Sequence, residues 1–289
     1  MNTTFKTAAD FRKSLEARLQ FIAAKTGEDL QRLRRKVAFD RFLARIFFQG
    51  NPGFYLKGGY AMELRIAQAR ATRDLDLTCI HRVKNQDELM GKLIWNDLQS
   101  LARFDLNDHF IYQIGKVQMD LENAPYGGAR YPVSCLIADK IFVRFHLDVG
   151  ADFLLDQVEM ISGANWLEFC KIPAPLIPMI SIEQQFAEKL HAYTLPRGDR
   201  FNSRVKDLID MVLLLNMRAP KPDEMAQAVR KVFDKRNTHK IPQTLNPPPI
   251  AWNDPFVAMT AECGLPPDMN AAYEKISKYY NNNISTQAR

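Results

Sequence analysis

The segment FYLKGGYAMELRIAQARATRDLDL, residues 54–77, constrains this chain more than any other. An apolar run (Phe54, Tyr55, Leu56) meets the glycine pair Gly58 and Gly59, and a helical pattern follows at Ala61, Leu64, Ile66 and Ala67. Arg70, Thr72 and Arg73 then lead into Asp74-Leu75-Asp76-Leu77, whose alternation has the two-residue period of a strand. The leucines enter a core and both carboxylates project from the opposite face. Two hard oxygen donors one pleat repeat apart suit Mg²⁺, which is held by one or two carboxylates together with substrate phosphate oxygens. A glycine turn lets bare backbone approach those phosphates. Either feature alone has an ordinary reading, Asp-x-Asp as a solvated loop and Gly-Gly as a turn; their order is what joins them.

A second alternating run, IFVRFHLDV, puts Ile141, Val143, Phe145, Leu147 and Val149 on one face and Phe142, Arg144, His146 and Asp148 on the other. A face carrying Arg, His and Asp is either a solvent-facing edge or the floor of a site. Between residues 181 and 216, two apolar stripes recur at helical spacing. Ile182, Phe186, Leu190 and Tyr193 form the first, with Lys189 beside it, and Val205, Leu208, Val212 and Leu215 the second, with Asn202 or Ser203 as its cap. Arg204 with Asp207, and Lys206 with Asp210, fall at helical pair spacings and read locally as exposed ion pairs.

The order of strand, glycine turn, helix and acidic strand resembles the nucleotidyltransferase toxins of the AbiEii and MenT type, within the DNA polymerase β-like nucleotidyltransferase superfamily. The matching positions are Gly58, Gly59, Asp74 and Asp76. Tyr60 stands where these toxins often carry Ser or Thr, which moves the hydroxyl to the end of a ring and leaves open whether it reaches phosphate. The later block AEKLHA, followed by NSRVKDLIDM, resembles the family's helix lysine and Arg-x-Lys-Asp helix. The resemblance implies an α/β (α+β) nucleotidyltransferase core with a small mixed sheet. It implies Mg²⁺ or Mn²⁺ held by Asp74, Asp76 and Asp148, with Glu122 the rival for the third carboxylate. Lys189 and Asp207 join these as catalytic residues, and Lys57, Gly58, Gly59, Arg73, Lys189, Arg204 and Lys206 form the expected nucleotide-binding set. Two metal ions would bridge the α phosphate, and a nucleotide would pass from a nucleoside triphosphate to an acceptor, in some members the 3′ end of tRNA, with a partner antitoxin restraining the toxin. The same motifs also serve aminoglycoside-type nucleotidyltransferases, and a non-catalytic binding module on this fold is the third alternative.

The chain is long enough for two modest cores, at 289 residues with 46% apolar content. We expect an N-terminal helical segment over 1–50, a catalytic core over 51–172 and a helical domain over 173–289, the last entered through Pro173, Pro175 and Pro178. Strands are expected near 54–57, 75–80, 109–122, 130–136 and 141–149, with a helix near 86–103. In the last third, helices are expected near 181–195, 203–216, 223–235 and 268–285. A net charge of +6 suits a nucleic-acid partner without establishing one. Arg32, Arg34, Arg35, Lys36 and Arg41 are either an RNA contact or the solvated face of a helix. Four scattered cysteines form no Cys-x-x-Cys pattern, so a reducing cytoplasm is expected, and no segment reads as a signal peptide or a membrane span.

Overall fold

The computed structural model describes residues 5–50, 53–80, 89–120, 127–155, 158–198, 202–217 and 221–285. Glu122 and residues 86–88 of the expected helix lie outside the described residues. The chain divides into two compact units. The first comprises Met1–Leu64, Thr72–Leu154 and Glu159–Met179; the second comprises Arg65–Ala71, Leu155–Val158 and Ile180–Arg289.

The first unit opens with two helices, α1 (Ala8–Thr26) and α2 (Leu30–Ile46), which part at Gly27. Gly27 ends α1 in the left-handed conformation, and the Asp29 side chain caps α2 by accepting from the Arg32 N–H. There follow β1 (Phe54–Lys57), α3 (Gly58–Arg65), β2 (Asp74–Cys79), α4 (Leu89–Ala102), β3 (Ile111–Ile114), β4 (Met119–Asp120), β5 (Gly128–Ile137), β6 (Lys140–Ala151), β7 (Val158–Ser162) and β8 (Leu176–Ile180). They make one mixed sheet in the order β3-β5-β6-β2-β1-β8-β7, with β4 on β5. β2 runs antiparallel to β1 and parallel to β6.

Strands β5 and β6 form a hairpin through Ala138 and Asp139, both at positive φ, as a two-residue turn of this hand demands. A register shift at Cys135/Leu136 reverses the expected faces at the start of β6, so Phe142 is buried and Ile141 exposed. From Val143 onward the alternation runs as read from the sequence. Phe39 and Phe42 of α2 pack edge-on against Phe145, tying that helix to the sheet.

Three local readings differ from the structure. The expected strand over 109–122 is two short ones, β3 and β4. Strands β7 and β8 were not expected, and Pro178 lies inside β8 where a connector was read. The parallel pairing of β8 with β1 is confined to Leu56↔Met179, beside Pro178. In the basic cluster of α2, Arg32, Arg34, Lys36 and Arg41 are each paired with a carboxylate rather than free on a solvated face. Arg34 pairs with Glu16, Lys36 with Glu28 and Arg32 with Glu63, while Arg41 and Arg45 are buried on Asp108 at 2.7 and 2.5 Å.

The second unit is helical: α5 (Ile182–Thr194), α6 (Val205–Met217), α7 (Pro222–Arg236), α8 (Asn253–Cys263) and α9 (Met269–Asn283). Helix α8 was not expected; Pro255 sits in its first turn, where a missing N–H costs nothing. Among the described residues no helix is long and apolar enough to cross a membrane.

Candidate active site

The glycine turn is dictated by the strand beside it. Gly58 has φ +68°, and a Cβ there would lie 2.1 Å from Asp76 Oδ2. Any side chain would therefore collide with the carboxylate as well as strain the backbone. A Cβ on Gly59 would stand 2.6 Å from Thr72 Oγ1, and the Gly59 N–H donates to the Asp76 carboxylate. The two motifs of the acidic segment thus close on each other at Asp76.

Four neighbouring strands carry one row of charges. Lys57 on β1 is the register partner of Asp76 on β2, Asp76 of Asp148 on β6, and Asp148 of Arg130 on β5. Adjacent strands lie only about 4.8 Å apart, so two like charges sit side by side with a cation at either end. Arg130 holds Asp148 through both nitrogens of its fork, Nε to Oδ1 and Nη2 to Oδ2, each at 2.7 Å, and Nη2 also stands 3.5 Å from Asp74 Oδ2. Lys57 Nζ lies 3.3 Å from the buried Asp152. His146, the partner of Asp74 in the register, puts Nδ1 3.4 Å from Asp74 Oδ1.

Burial, and next the neighbouring Asp148, push the Asp76 carboxyl up to about 6, against the opposing pull of Lys57. The guanidinium of Arg130 is likewise held above its ordinary value, chiefly by its hydrogen bonds to Asp148, which favours its charged form. A site in which a carboxylate is crowded by another carboxylate and by a side-chain-free turn fits a hard cation chemically. Among the described residues, however, no three His, Cys, Asp or Glu side chains are gathered into a ready metal cluster. Arg130 occupies both oxygens of Asp148.

Tyr60 answers the question its sequence position raised. Its ring is buried, and the hydroxyl donates to Asp40 Oδ1 at 2.6 Å, inside the core. Asp40, which the sequence did not single out, also accepts from the Ala164 N–H and the Trp166 indole, and burial raises its carboxyl to about 6. Removing the hydroxyl in Tyr60→Phe strips a donor from a buried carboxylate and should cost about 1–3 kcal/mol. The lost bond serves the ionised form best, so the penalty is expected to be full well above pH 6 and to shrink as Asp40 takes up a proton below it. Urea unfolding at pH 5 and pH 8 checks this, and an equal loss at both would contradict it.

In the second unit, Lys189 Nζ is 2.6 Å from Asp210 Oδ2 and 3.6 Å from Asp207 Oδ1, and Arg70 grips Asp210 with two bonds of 2.9 and 2.8 Å. Arg204 lies 3.7 Å from Asp207, the helical pair the sequence offered. The expected Lys206–Asp210 pair does not form: Asp210 is fully buried with Lys189 and Arg70, whereas Lys206 is exposed. Burial raises the Asp207 carboxyl in spite of Lys189 and Arg204, and its Oδ2 has no hydrogen-bond partner. Burial acts on Asp210 in the same sense, but Lys189 and Arg70 together bring it below the ordinary range. Arg73 is exposed just ahead of β2, and Asn202 Oδ1 accepts from the Arg204 N–H before α6.

The fold is that of a nucleotidyltransferase. It is similar to MenT4, a nucleotidyltransferase toxin from Mycobacterium tuberculosis H37Rv, with TM-score 0.61 and 12% identity, over 94% of this chain and 91% of that one. JHP933 from Helicobacter pylori is more distant, with TM-score 0.48 and 13% identity, over 89% of this chain and 95% of that one. Among curated protein sequences none matches this chain. The profile of the AbiEii nucleotidyl transferase toxins of type IV toxin–antitoxin systems matches residues 41–278, and the chain belongs to that family. It is accordingly an enzyme of the nucleotidyltransferase class.

Proposed function

We propose that this protein moves a nucleoside monophosphate from a nucleoside triphosphate to the 3′ end of tRNA, and that a cognate antitoxin restrains it in the cytoplasm. The observation that carries the chemistry is the alignment of Asp76 with Asp148 across neighbouring strands, above a turn whose Gly58 has no room for a side chain. A binding module has no need to keep like charges in contact, at a cost to its own stability. Asp74 and Asp76 would hold Mg²⁺ or Mn²⁺, with Asp148 beside them. A bound divalent ion supplies charge stabilisation at the phosphoryl oxygens. Gly58 and Gly59 present backbone to the phosphates, Lys57 and Arg73 flank them, and Asp148 is a candidate to take the proton of the attacking hydroxyl. For Lys189, Arg204, Lys206 and Asp207 the proposal rests on the family's sequence pattern, which assigns them to the triphosphate and its leaving pyrophosphate. The choice of tRNA rests on the family and on the net charge of +6.

The test is to incubate the purified protein with bulk tRNA, each α-labelled triphosphate in turn, and Mg²⁺ or Mn²⁺. Label is expected on the tRNA 3′ end with one triphosphate preferred. Label only on an added aminoglycoside would replace the acceptor, and no label on any acceptor would sink the reading.

A further inference from the structure

The row Lys57, Asp76, Asp148, Arg130 contains its own count of the cations it can take. Lys57 stands against Asp152, so it is already balanced within the fold. Of the groups that remain in touch with one another, Asp74, Asp76, Asp148 and Arg130, the sum is two negative charges, which is the charge of one divalent ion. Arg130 is also the wrong residue to displace. A guanidinium fork bound to both oxygens of one carboxylate is the strongest of the common side-chain pairs and keeps its charge at every accessible pH. Its second contact, to Asp74 Oδ2, places that fixed charge between the two strands that carry the acidic residues.

We infer that this site takes a single divalent ion, on Asp74 and Asp76, and that the Arg130 guanidinium on Asp148 fills the electrostatic role of a second. This inference rests on the nucleotidyltransferase reading of the same carboxylates and narrows it. Asp148 is then a counter-ion for Arg130 that positions its charge beside the phosphates, rather than a metal ligand.

The experiment counts Mn²⁺ on the full-length protein by electron paramagnetic resonance of the free ion, with and without a non-hydrolysable α,β-methylene triphosphate. One Mn²⁺ per chain is expected in the wild type under both conditions. Arg130→Gln frees Asp148 and should raise the count to two, whereas Arg130→Lys keeps a positive charge and should leave it at one. Asp148→Asn should change the affinity of the single Mn²⁺ by less than threefold. Two Mn²⁺ in the wild type, or a tenfold weaker site in Asp148→Asn, would overturn the role of Arg130 and leave the nucleotidyltransferase reading standing. An Arg130→Gln count that stays at one overturns it as well. Failure of the wild type to bind Mn²⁺ at all, with or without the triphosphate, would remove the metal reading itself.

Discussion

Asp76→Asn is expected to lose nucleotide transfer by on the order of 10³-fold, because it removes charge from the group nearest the glycine turn. The same change should leave the fold more stable at pH 8, not less. An unfolded aspartate titrates near 3.9, whereas burial and the adjacent Asp148 raise Asp76 to about 6 in the fold. A carboxyl raised on folding costs stability once it ionises: the penalty is absent below about pH 4, grows between about 4 and 6, and is complete above 6. The full shift corresponds to roughly 3 kcal/mol as an upper bound, and partial exposure of the side chain brings the expected gain to about 1–2 kcal/mol. Asparagine keeps an oxygen to accept the Gly59 N–H, so little else changes. Thermal unfolding in the absence of divalent ions should therefore show the variant equal to wild type at pH 4 and ahead of it at pH 8. Adding Mn²⁺ should raise the wild type and leave the variant where it was, since only a protein that binds the ion gains from it. Undiminished transfer, or a variant less stable at pH 8 than at pH 4 relative to wild type, would refute the assignment.

What the sequence could reveal of this site was what lies within one segment. Gly58, Gly59, Asp74 and Asp76 are close in the chain, and the strand period alone puts both carboxylates on one face. The mixed α/β class followed in the same way, from alternation at β2 and β6 and helical stripes in α5 and α6. Register between strands was not legible. That Asp76 stands opposite Asp148, and Asp148 opposite Arg130, depends on a parallel pairing and on a hairpin with a shift at Cys135/Leu136. Arg130 occupies a polar position of an alternating strand, which locally looks like any solvent-facing residue.

Buried charge was hidden for a related reason. Helical spacing supplied Asp210 with a nearby partner in Lys206, so nothing called for a distant one, and the α2 arginines likewise looked complete as a solvated face. The partners that bury these groups come from far along the chain: Lys189 and Arg70 for Asp210, Asp108 for Arg41 and Arg45. The exposure of Lys206 and the burial of Asp210 are thus two outcomes of one tertiary choice. Proline misled at Pro178, which read as part of a connector and lies inside β8, because only the hydrogen-bond partner decides whether a missing N–H matters.

Asp210→Ala should be the most destabilising single change in the second unit, by about 3–5 kcal/mol, because it leaves two cations without their shared counter-ion. Lys189 and Arg70 both end on Asp210, and their side chains are only 9% and 11% exposed. Truncation removes three short charge-assisted contacts from one buried position and opens a cavity that neither cation can leave easily. Lys189→Met is the informative control. It removes one cation while Arg70 continues to neutralise Asp210 through both oxygens, so the loss should be smaller, about 1–2 kcal/mol. The pH dependence has the opposite sign to that of Asp76. The two cations hold the Asp210 carboxyl below its ordinary value despite its burial, so its contribution is complete above the unfolded value near 3.9 and fades as pH falls through the lower folded one. The gap between wild type and Asp210→Ala in urea unfolding should accordingly be constant from pH 6 to pH 8 and narrow only in acid. A gap under about 1 kcal/mol at pH 7 would mean that the pair is screened like a surface bridge, and Lys189 would then lack the fixed position on which any role toward a triphosphate depends.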